Sequence, residues 1–127
     1  MATNTYVALA THTIATAVTD YTFSSIPGTY TDLVLVANNY STSGGTTLRV
    51  RFNGDTGSNY SFTLVQGNGS SAGSARASND TKIDMFGWNT NATSANSGTV
   101  GIMSVINYSN TSVFKTALGR HNWAAGE

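Results

Sequence analysis

Two histidines and six acidic residues are the side chains of this 127-residue sequence that could carry acid–base chemistry. His12 or His121 could activate a hydroxyl nucleophile, but such catalysis also needs an orienting group, and the sequence has no Gly-x-Ser-x-Gly elbow. A glycosidase would need two carboxylates across a cleft. The five aspartates instead fall at or near turns or strand ends, where Asp caps the backbone; they are Asp20, Asp32, Asp55, Asp80 and Asp84. We therefore expect no catalytic residues and no enzymatic activity.

A cation could in principle bind the loop Asn53–Asn59, which offers the side-chain oxygens of Asn53, Asp55, Ser58 and Asn59. Calcium prefers several carboxylate ligands, but this loop has one and does not follow the EF-hand spacing. The alternative is an Asx-rich turn that satisfies its own backbone. The sequence also lacks cysteine, so it has no thiolate metal ligand. We expect neither a metal nor a cofactor.

Aromatic side chains next to polar loops could form a carbohydrate-binding platform, since a flat ring stacks on a sugar face. Tyr40 and Trp88 are the candidates, because each lies in or beside a loop rich in Asn, Ser and Thr. The alternative is that the large aromatics belong to the core or to an interface, which is their commoner place. A glycan on a host surface is therefore a second candidate partner.

The charge pattern argues against nucleic acid and against membranes. The formal net charge is zero, so no basic field attracts phosphate or anionic lipid. Charged residues make up 9% of the chain, against about 25% in an ordinary domain. A surface of this kind suits a protein that its neighbours largely cover. Arg49 and Arg51 could pair with acidic groups of a neighbouring subunit, although a solvated face is the simpler interpretation.

No signal peptide and no apolar run of about 20 residues can be identified, so we expect a protein that either stays in the cytoplasm or leaves the cell by another route, such as lysis. The length indicates one domain, residues 1–127.

The stretch Leu48–Ser71 predicts a β-hairpin. Its arms, Leu48–Phe52 and Tyr60–Leu64, alternate apolar and polar residues with period two, and the turn-forming loop Asn53–Asn59 separates them. A second turn, Gln66–Ser71, closes the other end.

Other alternating or apolar runs predict further strands, and none shows a helical period. Leu33–Ala37 and Val100–Tyr108 are apolar on both faces, which is typical of a central strand or of one that a partner covers. Polar segments between the runs predict loops, including a mobile one over Ser70–Asp80. The expected fold is an all-β, antiparallel, jelly-roll-like β-sandwich of about eight or nine strands. Its remaining predicted strands are Thr5–Thr11, Thr13–Val18, Tyr21–Ile26, Lys82–Trp88 and Val113–Trp123.

Three stretches carry a resemblance to a known family: FSSIPGTYTDLVL (residues 23–35), RFNGDTGSNYS (residues 51–61) and GNGS (residues 67–70). Together they resemble small structural proteins and fibre modules of tailed bacteriophages, particularly phages of cyanobacteria and other marine bacteria. The segment Leu118–Asn122 resembles the strand that follows in that family. The family pattern continues for several strands beyond the position of Asn122, whereas this chain ends at Glu127. The sequence is therefore a shorter member or a piece, and we expect an adjacent chain to cover the open sheet edge.

The resemblance implies a virion structural protein, either a capsid-decoration protein or a tail or fibre appendage, that acts by subunit packing. By analogy with phage fibre and decoration proteins, the expected partners are copies of itself, as a homotrimer, and other virion proteins. The surplus apolar faces of the two long strands point to Val34 and Val36 as interface residues. The outward face of the hairpin adds Arg49 and Arg51 as candidates. The competing hypothesis is a host-surface carbohydrate-binding module that uses Tyr40 and Trp88.

Overall fold

The computed structural model describes residues 6–38, 48–67, 69–85 and 100–122. These residues form seven β-strands and no helix. Every strand pairing among them is antiparallel, so the prediction of an all-β antiparallel fold is confirmed. The sequence predicts eight or nine strands, whereas the described residues contain seven, arranged in three small sheets. The strands are β1 (Leu33–Asn38), β2 (Arg49–Val50), β3 (Tyr60–Gly67), β4 (Ala72–Asp80), β5 (Ile83–Asp84), β6 (Val100–Ile106) and β7 (Thr116–Asn122).

The largest sheet has the order β1-β6-β7, with β6 in the centre. The three apolar runs that predicted these strands are confirmed, with ends shifted by a few residues. β6 buries Gly101, Met103 and Val105 on one face. β1, whose apolar run is typical of a central or covered strand, lies at the edge of this sheet and pairs only with β6 among the described residues.

The core lies on the inner face of this sheet. Met103 and Val105 form its centre together with Met85, which follows β5. The backbone N–H of Met85 donates to the Leu48 carbonyl at 3.0 Å, which extends the β2–β5 pair by one position. Leu48, Val50 and Ile83 of this pair pack against the core centre, so the pair covers the inner face. Gly119 of β7 lies next to this pair, since a Cβ there would be in ordinary van der Waals contact with the Met85 carbonyl oxygen, at 3.4 Å. Leu33, Leu35, Val50, Phe52, Ile83 and Ala117 pack around this centre.

The single hairpin predicted over Leu48–Ser71 is wrong. β2 pairs with β5, and β3 pairs with β4, so the two arms belong to different sheets. Between the two arms, Asn53 and Gly54 adopt left-handed backbone angles, and the Asp55 N–H donates to the Phe52 carbonyl at 2.9 Å, which closes a tight turn. Such a turn suits a hairpin, but the residues after it are not paired with β2, because β5 occupies that position.

The mobile loop predicted over Ser70–Asp80 is also wrong, because Ala72–Asp80 form β4. Small polar residues have little strand propensity of their own, but the ladder to β3, which has one register shift between Tyr60 and Phe62, supplies their backbone partners. Of the strand predicted over Lys82–Trp88, the described residues form only Ile83–Asp84 as a strand. Residues 86–88 lie outside the described residues.

The three strands predicted over Thr5–Ile26 do not form in the described part of that stretch, residues 6–26. Alternation of Thr with apolar residues favours a strand, but a strand needs a neighbour to complete its hydrogen bonds. The neighbour is absent within the described chain, and the stretch is irregular. No helix among the described residues has the length and hydropathy to cross a membrane.

Candidate interaction surface

The outer face of the three-stranded sheet carries a group of apolar side chains among polar ones. Strand alternation turns Leu33, Leu35 and Ala37 inward and leaves Val34 and Val36 outward, 41% and 59% exposed. The register aligns Val34 with Ser104 and Leu118 in one row, and Val36 with Ile102 and Arg120 in the next. We use "outer face" for the apolar outward residues Val34, Val36, Val100, Ile102, Ile106 and Leu118.

Four of these hydrophobic side chains are exposed to solvent. Val34 is 41% exposed, and Val36, Ile106 and Leu118 are 59%, 47% and 75% exposed. Single exposed apolar residues are ordinary, but a contiguous apolar group on one sheet face marks an interaction surface. Val34 and Val36, predicted as interface residues, are thus placed on this face by the structure.

The edge of β1 borders the same face. Its sequence, LVLVAN, has no charge, proline or bulge, and these are the usual devices that protect an edge strand from pairing. β7, at the opposite edge, carries Arg120. Among the described strands of this sheet, β1 therefore has the less protected edge.

An irregular segment precedes β1, and we call Tyr6–Ile26 the N-terminal arm. Its larger apolar side chains are exposed: Tyr6, Val7, Leu9, Ile14, Val18, Tyr21, Phe23 and Ile26. Its described contacts are local. The ring of His12 stacks on that of Tyr21 with centroids 3.7 Å apart and planes at 8°, and Phe23 meets Tyr21 edge to face at 5.0 Å.

The residues between the arm and β1, Pro27–Asp32, form the arm root and are bound to the turn after β6. The Tyr108 N–H donates to the Thr31 carbonyl at 3.1 Å, and the Asn107 N–H donates to Asp32 Oδ1 at 2.7 Å. The Tyr108 hydroxyl also donates to the Pro27 carbonyl. These three bonds fix where the arm leaves the sheet.

Arg49 and Arg51, predicted to face a neighbouring subunit, both make contacts within the chain. Arg49 Nε lies 3.2 Å from Asp84 Oδ1 across the β2–β5 pair, and Arg51 Nε donates to the Thr81 carbonyl at 2.9 Å. Half of the Arg49 side chain stays exposed, so this pair adds little stability. A role for either guanidinium in a partner contact stays a prediction.

The loop that could have held a cation satisfies itself. Asp55 Oδ1 accepts from the Gly57 N–H at 2.8 Å, and Asp55 Oδ2 accepts from Asn59 Nδ2 at 3.0 Å. The side-chain bond from Asn59, followed by the Gly57 N–H, lowers the pKa of the Asp55 carboxyl. No cluster of three or more potential metal ligands occurs in the described ranges. The geometry is that of an Asx-stabilised turn.

The acidic side chains engage donors at separate places in the fold. Asp32 accepts from Asn107 N–H, and Asp84 pairs with Arg49. The bond from Lys82 Nζ, followed by that from the Thr81 N–H, lowers the pKa of Asp80.

Burial lowers the pKa of the His121 imidazole. The groove that includes His121 is otherwise lined by Val100, Ile102, Arg120 and Asn122, and it contains no carboxylate from the described residues. His12, the other histidine, lies in the arm. The described chain thus does not bring a histidine and carboxylates together in this groove.

The candidate sugar-binding residues Tyr40 and Trp88 lie outside the described residues, as does Trp123. Two other aromatics of the sequence have structural places. Tyr60 is buried, and its hydroxyl lies 3.1 Å from the Phe52 nitrogen. Tyr108 is half-buried and binds the arm root.

The sequence predicts the apolar face but not the arm, because the alternation in Thr5–Ile26 is typical of strands within a sandwich. One feature of the sequence does set the arm apart, namely its lack of charged side chains: the first charged residue is Asp20. Comparison with known proteins adds no relative, since no family model, no curated protein and no solved structure matches this chain.

Proposed function

We propose that this chain is a structural subunit of a tailed-bacteriophage virion, a capsid-decoration or tail or fibre appendage component that acts by packing against other subunits. The observation that carries the packing role is the outer face, where Val36 and Leu118 are 59% and 75% exposed beside an unprotected strand edge. The phage assignment rests on the sequence resemblance.

The distribution of apolar side chains supports a subunit over a free-standing domain. Four hydrophobic residues are buried among the described residues, namely Tyr60, Met85, Met103 and Val105. Many more large hydrophobic side chains are exposed, on the arm and on the outer face. Burying one such valine or leucine contributes roughly 1.5–3 kcal/mol, so a partner that covers several of them gains a large driving force.

The proposed partner is the chain itself, as a homotrimer, together with other virion proteins. In this proposal the chain itself is a jelly-roll-like β-sandwich, and a neighbouring subunit covers its outer face. The site of action is the virion, after synthesis in the host cytoplasm and release by lysis. No enzymatic step, nucleic acid or membrane is part of the proposal.

The test compares two valine substitutions by sedimentation velocity at micromolar concentration. Val36→Asp places a charge in the outer face, and loss of about 3 kcal/mol at one interface corresponds to roughly 100-fold weaker association. Val65→Asp is the matched control, since Val65 is 83% exposed on β3, in a different sheet. Dissociation of the Val36→Asp variant alone supports the proposal. If the Val36→Asp variant assembles as the unmodified protein does, the outer face is not part of the subunit interface.

A host-surface carbohydrate-binding module is the competing hypothesis, and it rests on Tyr40 and Trp88 in the sequence. A glycan array separates the two functions. Glycan binding that is lost in Trp88→Ala and Tyr40→Ala, in a protein that does not assemble, would favour the carbohydrate-binding module.

A further inference from the structure

We propose that the N-terminal arm of one copy adds a strand to the open edge of β1 in a second copy, so that Ile14 and Val18 pack beside Val34 and Val36. This inference rests on the proposed function as a self-assembling subunit. It names the segment that forms the contact and the surface that receives it.

The chemistry of the arm matches that of the edge. Residues 6–19 contain no Asp, Glu, Lys, Arg, Pro or Gly, and they are rich in Thr, Val, Ile and Ala. β1 is likewise uncharged and apolar. Two uncharged segments can pair without leaving a charged side chain unpaired at the contact, whereas pairing with β7 would place Arg120 there.

The backbone of the arm is available for pairing. Within the described residues, no backbone–backbone hydrogen bond involves Tyr6–Ile26, and β1 bonds only β6. Strand addition to an exposed edge satisfies both sets of groups, and alternate side chains then give specificity. Position parity puts Ile14 and Val18 on one side of such a strand and Ala15 and Ala17 on the other.

The arm root holds the start of the arm on the β6 side of the sheet, away from the free edge of its own β1. Thr31, Asp32 and Pro27 are bound to Asn107 and Tyr108, beyond the end of β6, and not to the free side of β1. In the described structure the arm leaves its own β1 edge unpaired. Fully extended, the 21 residues of the arm would span up to ~70 Å, well beyond a domain with a radius of gyration of about 13 Å.

An exposed segment with high β-propensity, no charge and no proline is an aggregation hazard unless something covers it. A defined acceptor edge on an identical copy removes this hazard, and such contacts form a ring when the rotation between copies closes. The same contact places Ile14 and Val18 beside Val34 and Val36 without requiring a different partner protein.

The test uses three full-length chains: the unmodified protein, the double variant Ile14→Asp/Val18→Asp, and the control Ala15→Asp/Ala17→Asp. The control places the same two charges one residue away, on the opposite side of the proposed strand. Molar mass from light scattering and amide hydrogen exchange at residues 12–18 and 33–38 are measured on each, and circular dichroism checks the fold.

We expect an assembled unmodified chain with both segments protected from exchange. The Ile14→Asp/Val18→Asp variant should lose protection at residues 12–18 and 33–38 together, by at least tenfold in exchange rate, while the control retains it. Free exchange of the arm in an assembled unmodified chain would overturn this inference and leave the proposed function standing. Equal loss of protection in both variants would overturn the assigned side of the strand.

If the unmodified chain is a monomer, both the proposed function and the addition of the arm to a second copy are overturned. If the arm is protected from hydrogen exchange in a species of 13.3 kDa, the arm pairs with its own chain, and the proposed contact with a second copy is also overturned.

Discussion

Removing one hydroxyl group by Tyr60→Phe should destabilise the fold measurably. Tyr60 is 8% exposed, and its hydroxyl accepts from the Phe52 N–H at 3.1 Å and donates to the Asp55 carbonyl at 3.2 Å. The hydroxyl of Tyr60, the first residue of β3, thus binds both Phe52, just after β2, and Asp55 in the turn. Phe fills the same space, so the substitution removes hydrogen bonds without opening a cavity.

The expected loss follows from the group left behind. The Phe52 N–H is partly buried, and a buried donor without an acceptor costs about 1–3 kcal/mol. We expect a loss of roughly 2 kcal/mol in the free energy of unfolding, which corresponds to a fall of about 6–12 °C in Tm for a domain of this size.

Urea denaturation of both proteins at one fixed protein concentration measures this difference, because assembly makes apparent stability depend on concentration. Tyr30→Phe is the control: Tyr30 is 36% exposed, and its hydroxyl makes no hydrogen bond within the described ranges. The control should change stability by less than about 0.5 kcal/mol. If Tyr60→Phe matched the control, the hydroxyl would not organise the turn.

Two further predictions concern the core and acid stability. Met103, which is 2% exposed at the centre of the core, should lose about 2–5 kcal/mol on substitution by Ala, measured by urea denaturation; a loss below about 1 kcal/mol would contradict the assigned core. Hydrogen bonds from Asn59 and Gly57 lower the pKa of Asp55 in the folded chain, so its contribution is present above the unfolded pKa of about 4 and is lost as pH falls through the folded value. Denaturation between pH 6 and pH 2 should show a smaller acid loss for Asp55→Asn than for the unmodified chain, and equal loss in both would contradict this role.

The strands that the sequence predicted correctly are those with an unambiguous local signal. Leu33–Asn38 and Val100–Ile106 are dense in β-branched and apolar residues, and each finds an antiparallel partner. The same pattern led to Val34 and Val36, because apolar residues on both faces of a strand leave one face to be covered. The structure places those two side chains on an exposed face.

The features that the sequence did not predict depend on long-range pairing. β4 has weak strand propensity and forms through its ladder with β3. Arg49 bonds Asp84, 35 residues away, because β2 pairs with β5 and not with the nearer β3. The residues of the arm have strand propensity but no partner in the described chain. Local periodicity identifies segments that can be strands, but it does not identify the neighbour that makes them strands.

The most direct test of the assembly role is the molar mass of the unmodified protein in solution. Light scattering at micromolar concentration should give about three times the 13.3 kDa of one chain, as expected for a trimer whose contacts cover the apolar faces. A mass of 13.3 kDa would contradict the central claim that exposed apolar surfaces of this chain serve subunit packing.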